Sequence, residues 1–169
     1  FDFPDQDAWV LKLDSTGSVI WQKTYGGIGD DCAYSVQQTS DGGYVVAGRT
    51  RSFGAGGLAV WVLQLDSAGS VMWQNTYGGS DNDFMRSVHE TSSDGGYIVA
   101  GYTYSFGAGG ADIWVIKLGV GGDIVWDTGS GASAHATSLL PTDSYATTYT
   151  TSATLGSDAP TVKDTDVTP

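Results

Sequence analysis

The fold is decided by a stretch of sequence that occurs twice and then returns in altered form. Ala59–Gly79 has the sequence AVWVLQLDSAGSVMWQNTYGG, and Asp7–Gly27 has the sequence DAWVLKLDSTGSVIWQKTYGG. A weaker third copy, DIWVIKLGVGGDIVWDTGSG, covers Asp112–Gly131. The intervening text also recurs, since SVQQTSDGGYVVAGRTRSFGAGG at Ser35–Gly57 matches SVHETSSDGGYIVAGYTYSFGAGG at Ser87–Gly110. Self-similarity at a fixed period predicts an architecture of tandem units.

The six tryptophans give the period. They form three pairs with 12 positions within each pair, and successive pairs are offset by 52 and then 53. The extra position comes from one inserted Ser in Ser92-Ser93. We therefore expect a single repeat domain over residues 1–160, with units of about 7–58, 59–111 and 112–160, the third degenerate. Residues 161–169 have the composition of an exposed tail or linker.

The second unit shows what each repeat builds. Four short runs of alternating character predict strands at Ala59–Asp66, Val71–Tyr77, Phe84–Thr91 and Tyr97–Tyr104. Asp-Ser-Ala-Gly and Ser-Asp-Gly-Gly separate them, and such sequences favour tight turns. No run has apolar residues at helical spacing over ten or more positions, so we expect an all-β chain of four-stranded antiparallel units.

The runs WVLKLDSTGSVIWQKTYGG, SDGGYVVAG and SFGAGG resemble a repeat of bacterial and archaeal surface or secreted proteins, closely from Asp7 to Trp126 and loosely beyond. Those repeats are generally taken to form β-propellers. The resemblance implies an extracellular, mostly non-catalytic module made of propeller-type blades, and it brings no catalytic residues. Closed propellers have typically ~4–8 blades, however, so three units cannot close a ring. Three units of four strands also suit a β-trefoil, which remains the alternative.

Composition excludes several kinds of function. Seven Lys+Arg stand against 19 Asp+Glu, a formal charge of −12, so we expect no nucleic-acid partner and no attraction to an anionic membrane. A single Cys excludes an internal disulfide. No apolar run approaches the ~20 residues that span a bilayer. The chain begins at Phe1 without a basic start and an apolar stretch, so we expect a mature product or a fragment.

The tryptophans are the first candidate site. The first member of each pair shares its register with aliphatic neighbours, which predicts core packing for Trp9, Trp61 and Trp114. The second members are flanked by polar residues and are candidates for stacking on a ligand such as a glycan: Trp21, Trp73 and Trp126. Packing between units is the competing interpretation for them.

Clustered carboxylates form the second candidate. Asp30 and Asp31 occupy the same place in the first unit as Asp81 and Asp83 in the second, and Ca²⁺ prefers oxygen ligands. A solvated acidic loop is the competing interpretation, and no other cofactor is expected. His89 is predicted to be an exposed strand residue, and Cys32 a small buried one. Because neither belongs to a triad or zinc pattern, we expect no enzyme activity.

These observations predict a non-enzymatic extracellular structural or adhesive protein. It would associate with itself through unpaired blade edges into a ring, oligomer or fibre. The degenerate third unit alternates Tyr and Thr, so candidate self-association residues are Tyr145, Thr147, Tyr149 and Thr151. The alternative is a carbohydrate-binding, lectin-like module.

Overall fold

The structure, a computed structural model, describes residues 6–54, 57–128 and 149–150. These residues form eleven β-strands. They include no helix, hence none with the length and hydropathy that crossing a membrane requires. In chain order the strands are β1 (Ala8–Leu13), β2 (Val19–Tyr25), β3 (Asp31–Gln38), β4 (Tyr44–Thr50), β5 (Ala59–Leu65), β6 (Val71–Tyr77), β7 (Asp83–Glu90), β8 (Tyr97–Thr103), β9 (Asp112–Leu118), β10 (Ile124–Asp127) and β11 (Tyr149–Thr150).

The strands form three antiparallel sheets. The first sheet has the order β1-β2-β11, the second β3-β4-β5-β6 and the third β7-β8-β9-β10. The expectation of an all-β chain with four-stranded antiparallel sheets is confirmed. The four strands expected in the second unit are also confirmed, each to within one residue at either end.

The sheets are out of phase with the sequence units, so the expectation that each unit forms a four-stranded antiparallel sheet of its own is wrong. In the second sheet, β3 and β4 come from the first unit while β5 and β6 come from the second. The connection between β4 and β5 keeps the chain in one sheet, where Tyr44 pairs with Leu65 and Thr50 with Ala59. The chain passes to the next sheet between β2 and β3 and between β6 and β7. A sequence unit is therefore half of one sheet joined to half of the next.

The sheets pack face to face, and the second sheet is buried on both sides. One core cluster joins it to the first sheet through Ala8, Tyr25, Val46, Trp61, Leu63 and Leu65. The other joins it to the third sheet through residues that include Val45, Val60, Val62, Val99, Trp114 and Ile116. Alternation along β4 and β5 separates the two sets, because successive side chains of a strand point to opposite faces.

Candidate interaction surfaces

At both sheet boundaries, a tryptophan of one sheet donates a hydrogen bond to a turn of the next sheet. At the first, the indole Nε1 of Trp21 donates to the carbonyl oxygen of Ser67 at 3.1 Å. At the second, Trp73 Nε1 donates to the carbonyl oxygen of Val120 at 3.0 Å. Each ring also meets a tyrosine edge-on, with 5.6 Å between the centroids of Trp21 and Tyr44 and 5.9 Å for Trp73 and Tyr97. Trp21 and Trp73 thus lie half-buried between sheets.

Trp126 is the third member of this set and differs from the other two. It is 48% exposed, and no described turn lies against its ring in the way that the Ser67 and Val120 turns meet Trp21 and Trp73. Stacking of Trp21, Trp73 and Trp126 on a ligand stays a prediction. Of the three, Trp126 offers the most open ring.

The predicted burial of the first tryptophans is confirmed in two copies of the repeat. Trp61 and Trp114 are 1% and 2% exposed, but Trp9 is 47% exposed. The core prediction is wrong for Trp9, because no described sheet covers the face of β1 on which it lies. The sequence pattern gives the face but not what covers it.

The acidic candidates divide into two buried carboxylates, one half-buried and one exposed. Asp31 and Asp83, at 1% and 0% exposure, begin the strands β3 and β7. Asp83 Oδ2 accepts from Ser105 Oγ at 2.7 Å and from the backbone N–H of Gly79 at 2.9 Å, while Oδ1 accepts from the Thr103 hydroxyl. A solvated acidic loop is therefore wrong for this pair, because these carboxylates lie inside the fold.

The first copy of this network is related but incomplete. Asp31 Oδ2 accepts from Ser52 Oγ at 2.5 Å and from Gly27 N–H at 2.8 Å. Its Oδ1 is buried without a hydrogen-bond partner among the described residues. The Thr50 hydroxyl accepts from the N–H groups of Ser52 and Phe53, as that of Thr103 does from Ser105 and Phe106, but only Thr103 also donates to its carboxylate. Both networks fix the bend where the chain enters a new sheet.

The other two acidic candidates lie toward solvent. Asp30 pairs with Arg51, with 3.6 Å between Oδ2 and Nη1. Asp81 is exposed, and its backbone N–H donates to Ser105 Oγ at 3.1 Å. Within residues 6–54 and 57–128, no three or more His, Cys, Asp or Glu side chains come close enough together to hold a metal ion. The calcium hypothesis stays a prediction.

The turn carboxylates accept hydrogen bonds from the backbone of their own turns. Asp14 Oδ1 accepts from the N–H groups of Thr16 and Ser18, and Asp66 Oδ1 does the same for Ala68 and Ser70. Hydrogen bonds, led by that of the Thr16 hydroxyl, lower the pKa of Asp14. Those of the turn backbone, led by Ser70, lower the pKa of Asp66. These are the Asx turns that the DSxG sequences predict.

Sequence reasoning missed a cluster of arginine and tyrosine at the β-bulges of β3 and β7. The pairing register shifts between Ala33 and Ser35 and again between Met85 and Ser87, so Tyr34 and Arg86 occupy equivalent bulges. The Arg86 guanidinium lies 5.0 Å from the Tyr34 ring centroid and 5.6 Å from that of Tyr102, a cation–π arrangement. The detectable signal was the shared position, 52 residues apart, of an aromatic and a cation.

The two remaining candidates are His89 and Cys32. His89 is exposed on β7, as predicted. Cys32 is half-buried rather than buried, and Arg49 Nη2 lies 4.0 Å from its sulfur.

The two ends of the stack of sheets expose apolar faces. We call the first the leading face, formed on β1 by Trp9, Leu11 and Leu13, which are 47%, 39% and 47% exposed. We call the second the trailing face, formed on β8 and β9 by Ile98, Ala100, Ile113 and Val115. Alternation places these four opposite the side chains that pack on the second sheet. Ile113 is 80% exposed, and the other three are half-buried.

The edge of the first sheet that β1 forms has no partner strand among the described residues. β5 and β9, the counterparts of β1, pair on both edges. Within the described residues β1 pairs only with β2, in a register that runs from Ala8↔Tyr25 to Leu13↔Val19. On the other edge of β2, Tyr149 pairs with Thr24 and Thr150 with Lys23. Tyr145, Thr147, Thr151 and the predicted tail at 161–169 lie outside the described residues.

No protein-family model matches the chain, and no curated protein matches it.

Proposed function

We propose that this chain is a non-enzymatic, extracellular structural or adhesive protein whose sheets are propeller-type blades, and that it associates with further copies of itself through unpaired strand edges. Separate four-stranded antiparallel sheets, packed face to face at steps of 52 and 53 residues, support the propeller more than the trefoil. The extracellular location rests on the resemblance of the repeats to those of secreted proteins.

The open edge of β1 is the observation that carries the proposal. Its counterparts β5 and β9 are central strands, whereas β1 presents one row of backbone N–H and C=O groups without a described partner strand. Such an edge is a template for pairing with another chain. An added strand gains main-chain hydrogen bonds, and alternate side chains give the pairing its specificity.

Solution mass and amide exchange together test this function. We expect sedimentation velocity of the full chain to show species larger than the monomer, with a population that rises with concentration. Hydrogen exchange should then slow at Ala8–Leu13 as the concentration rises. Ala59–Leu65 is the matched internal control, because β5 is paired on both edges already and its exchange should stay constant. A monomer at every concentration would contradict the proposal.

A further inference from the structure

The two ends of the stack of sheets carry opposite halves of a contact that the chain makes twice within itself. At the boundary between the first and second sheets, Trp61, Leu63 and Leu65 of β5 are each 1% exposed because the first sheet covers them. Their counterparts on β1 are the leading face, which nothing among the described residues covers. The leading face therefore has the chemistry of a surface that receives a preceding sheet.

The trailing face is the matching half. Val60 and Val62 of β5 are 0% exposed because they pack against the third sheet. Their counterparts on β9 are Ile113 and Val115, and Ile113 is 80% exposed. An aliphatic row that is fully covered in one sheet is thus open in the next. Exposed contiguous apolar surface of this kind marks an interaction site.

The aromatic contact between sheets is also divided between the two ends. Trp21 packs against the turn that contains Gly69. A Cβ built on Gly69 would lie 3.2 Å from the Trp21 ring. A Cβ on the equivalent Gly17 meets nothing within 4 Å. The turn at Asp14–Ser18 is therefore open, while Trp126, the counterpart of Trp21, is 48% exposed.

We infer that the partner of the trailing face is the leading face of a second copy of this chain, docked head-to-tail, with Trp126 of one copy against the Asp14–Ser18 turn of the other. This inference rests on the proposed function and names the partner and the surface for it. A heterologous contact closes into a ring or continues into a filament, depending on its rotation. Two chains bring six sheets, three from each, which lies within the ~4–8 of closed propellers. We therefore expect a closed dimer of twice the 17.6 kDa chain mass.

A charge placed on the trailing face tests the docking. Ile113→Asp puts an unpaired carboxylate into the contact, so the dissociation constant should rise about tenfold or more. Met72→Asp is the matched control. Met72 is 64% exposed on β6 of the second sheet although both neighbouring sheets are in place, so its position lies outside the sheet-to-sheet contact. Both positions are exposed, and circular dichroism of each variant should match that of the parent chain.

Mixing two variants tests the head-to-tail direction. Trp9→Asp damages only the leading face and Ile113→Asp only the trailing face, so each variant alone should be monomeric. The mixture retains one intact pair of faces and should form a heterodimer by sedimentation or native mass spectrometry. A contact between two trailing faces would give no such rescue, and that result would overturn the proposal.

The outcomes separate this inference from the proposed function. A chain that assembles with equal strength in the parent, Ile113→Asp and Met72→Asp overturns the face-to-face docking and leaves edge pairing in place. A chain that stays monomeric overturns both. If the parent chain forms species larger than a dimer and Ile113→Asp dissociates them, the result supports the docking, with an open filament in place of the closed dimer.

Discussion

The hydroxyl of Tyr25 donates a hydrogen bond to the carbonyl oxygen of Gly69, 2.6 Å away, across the boundary between the first and second sheets. Tyr77 makes the same bond to Gly122 at 2.5 Å across the next boundary. Burial, followed by the charge of Asp66, raises the pKa of Tyr25, which keeps the phenol protonated as a donor. Each boundary thus has a fixed polar contact beside its apolar core.

Removing one hydroxyl should measurably weaken the fold. Tyr25→Phe leaves the Gly69 carbonyl without this donor, so we expect the free energy of unfolding in urea to fall by about 1–2 kcal/mol. Tyr102→Phe is the control, because that hydroxyl lies near the surface and accepts only a 3.3 Å contact from Arg86. It should change stability by less than about 0.5 kcal/mol. Equal effects of the two substitutions would contradict the role assigned to Tyr25.

The buried carboxylate of Asp83 should contribute more to the free energy of unfolding than the exposed carboxylate of Asp81. Asp83→Asn replaces one accepting oxygen by an NH₂ group, which then faces either the Thr103 hydroxyl or the donors Gly79 N–H and Ser105 Oγ. We expect a loss of about 1–3 kcal/mol in urea unfolding. Asp81→Asn, on an exposed side chain, should stay within about 0.5 kcal/mol of the parent chain.

The same pair of variants separates a structural role from a calcium site. If Asp83 acts only through its hydrogen bonds, the loss in Asp83→Asn should be equal in calcium and in chelator. A thermal midpoint that calcium raises in the parent chain but not in Asp83→Asn would assign a metal to this carboxylate.

The local structure could be predicted from the sequence because it depends on neighbours in the chain. Alternation sets the strands, and Asp-x-x-Gly sets the turns, where Gly17 and Gly69 have φ of 84° and 76°. How four strands combine into a sheet depends on whether each connection stays in a sheet or leaves it. The turn sequences do not indicate which connections stay within a sheet, so the half-unit offset of the sheets is seen only in the structure.

The candidate site was less predictable for a related reason. Identical positions in the repeat have different surroundings at the ends of the stack, so Trp9 is exposed where Trp61 is buried. A carboxylate at a strand start is equally compatible with solvent and with a buried network. For Asp83 the outcome depended on Thr103 and Ser105, which lie 20 and 22 residues away. Burial set by distant parts of the chain is not visible in local sequence.

Asp94 should make stability depend on pH in the acid range. The Thr91 hydroxyl and then Lys117, whose Nζ lies 2.9 Å from Asp94 Oδ1, lower the pKa of Asp94 to about 2. A depressed native pKa gives stability that is present above the unfolded value near 3.8 and is lost as pH falls toward about 2. Asp94→Asn should therefore unfold at a lower temperature than the parent chain near neutral pH, and the difference should vanish near about pH 2. Lys117→Met removes one of the groups that lower the pKa of Asp94, so it should narrow the pH range over which Asp94 changes stability.

The two classes of tryptophan should respond differently to truncation. Trp21 contacts Tyr44 and donates to Ser67 across a sheet boundary, so Trp21→Ala should cost about 2 kcal/mol, below the ~3–5 kcal/mol of a fully buried ring. Trp126→Ala removes a side chain that is 48% exposed and should change monomer stability by less than about 0.5 kcal/mol. Urea unfolding at low concentration measures both. Because Trp126→Ala keeps the fold, calorimetric titration with glycans can follow directly, and saturable binding by the parent chain that this variant loses would favour the carbohydrate-binding alternative over self-association.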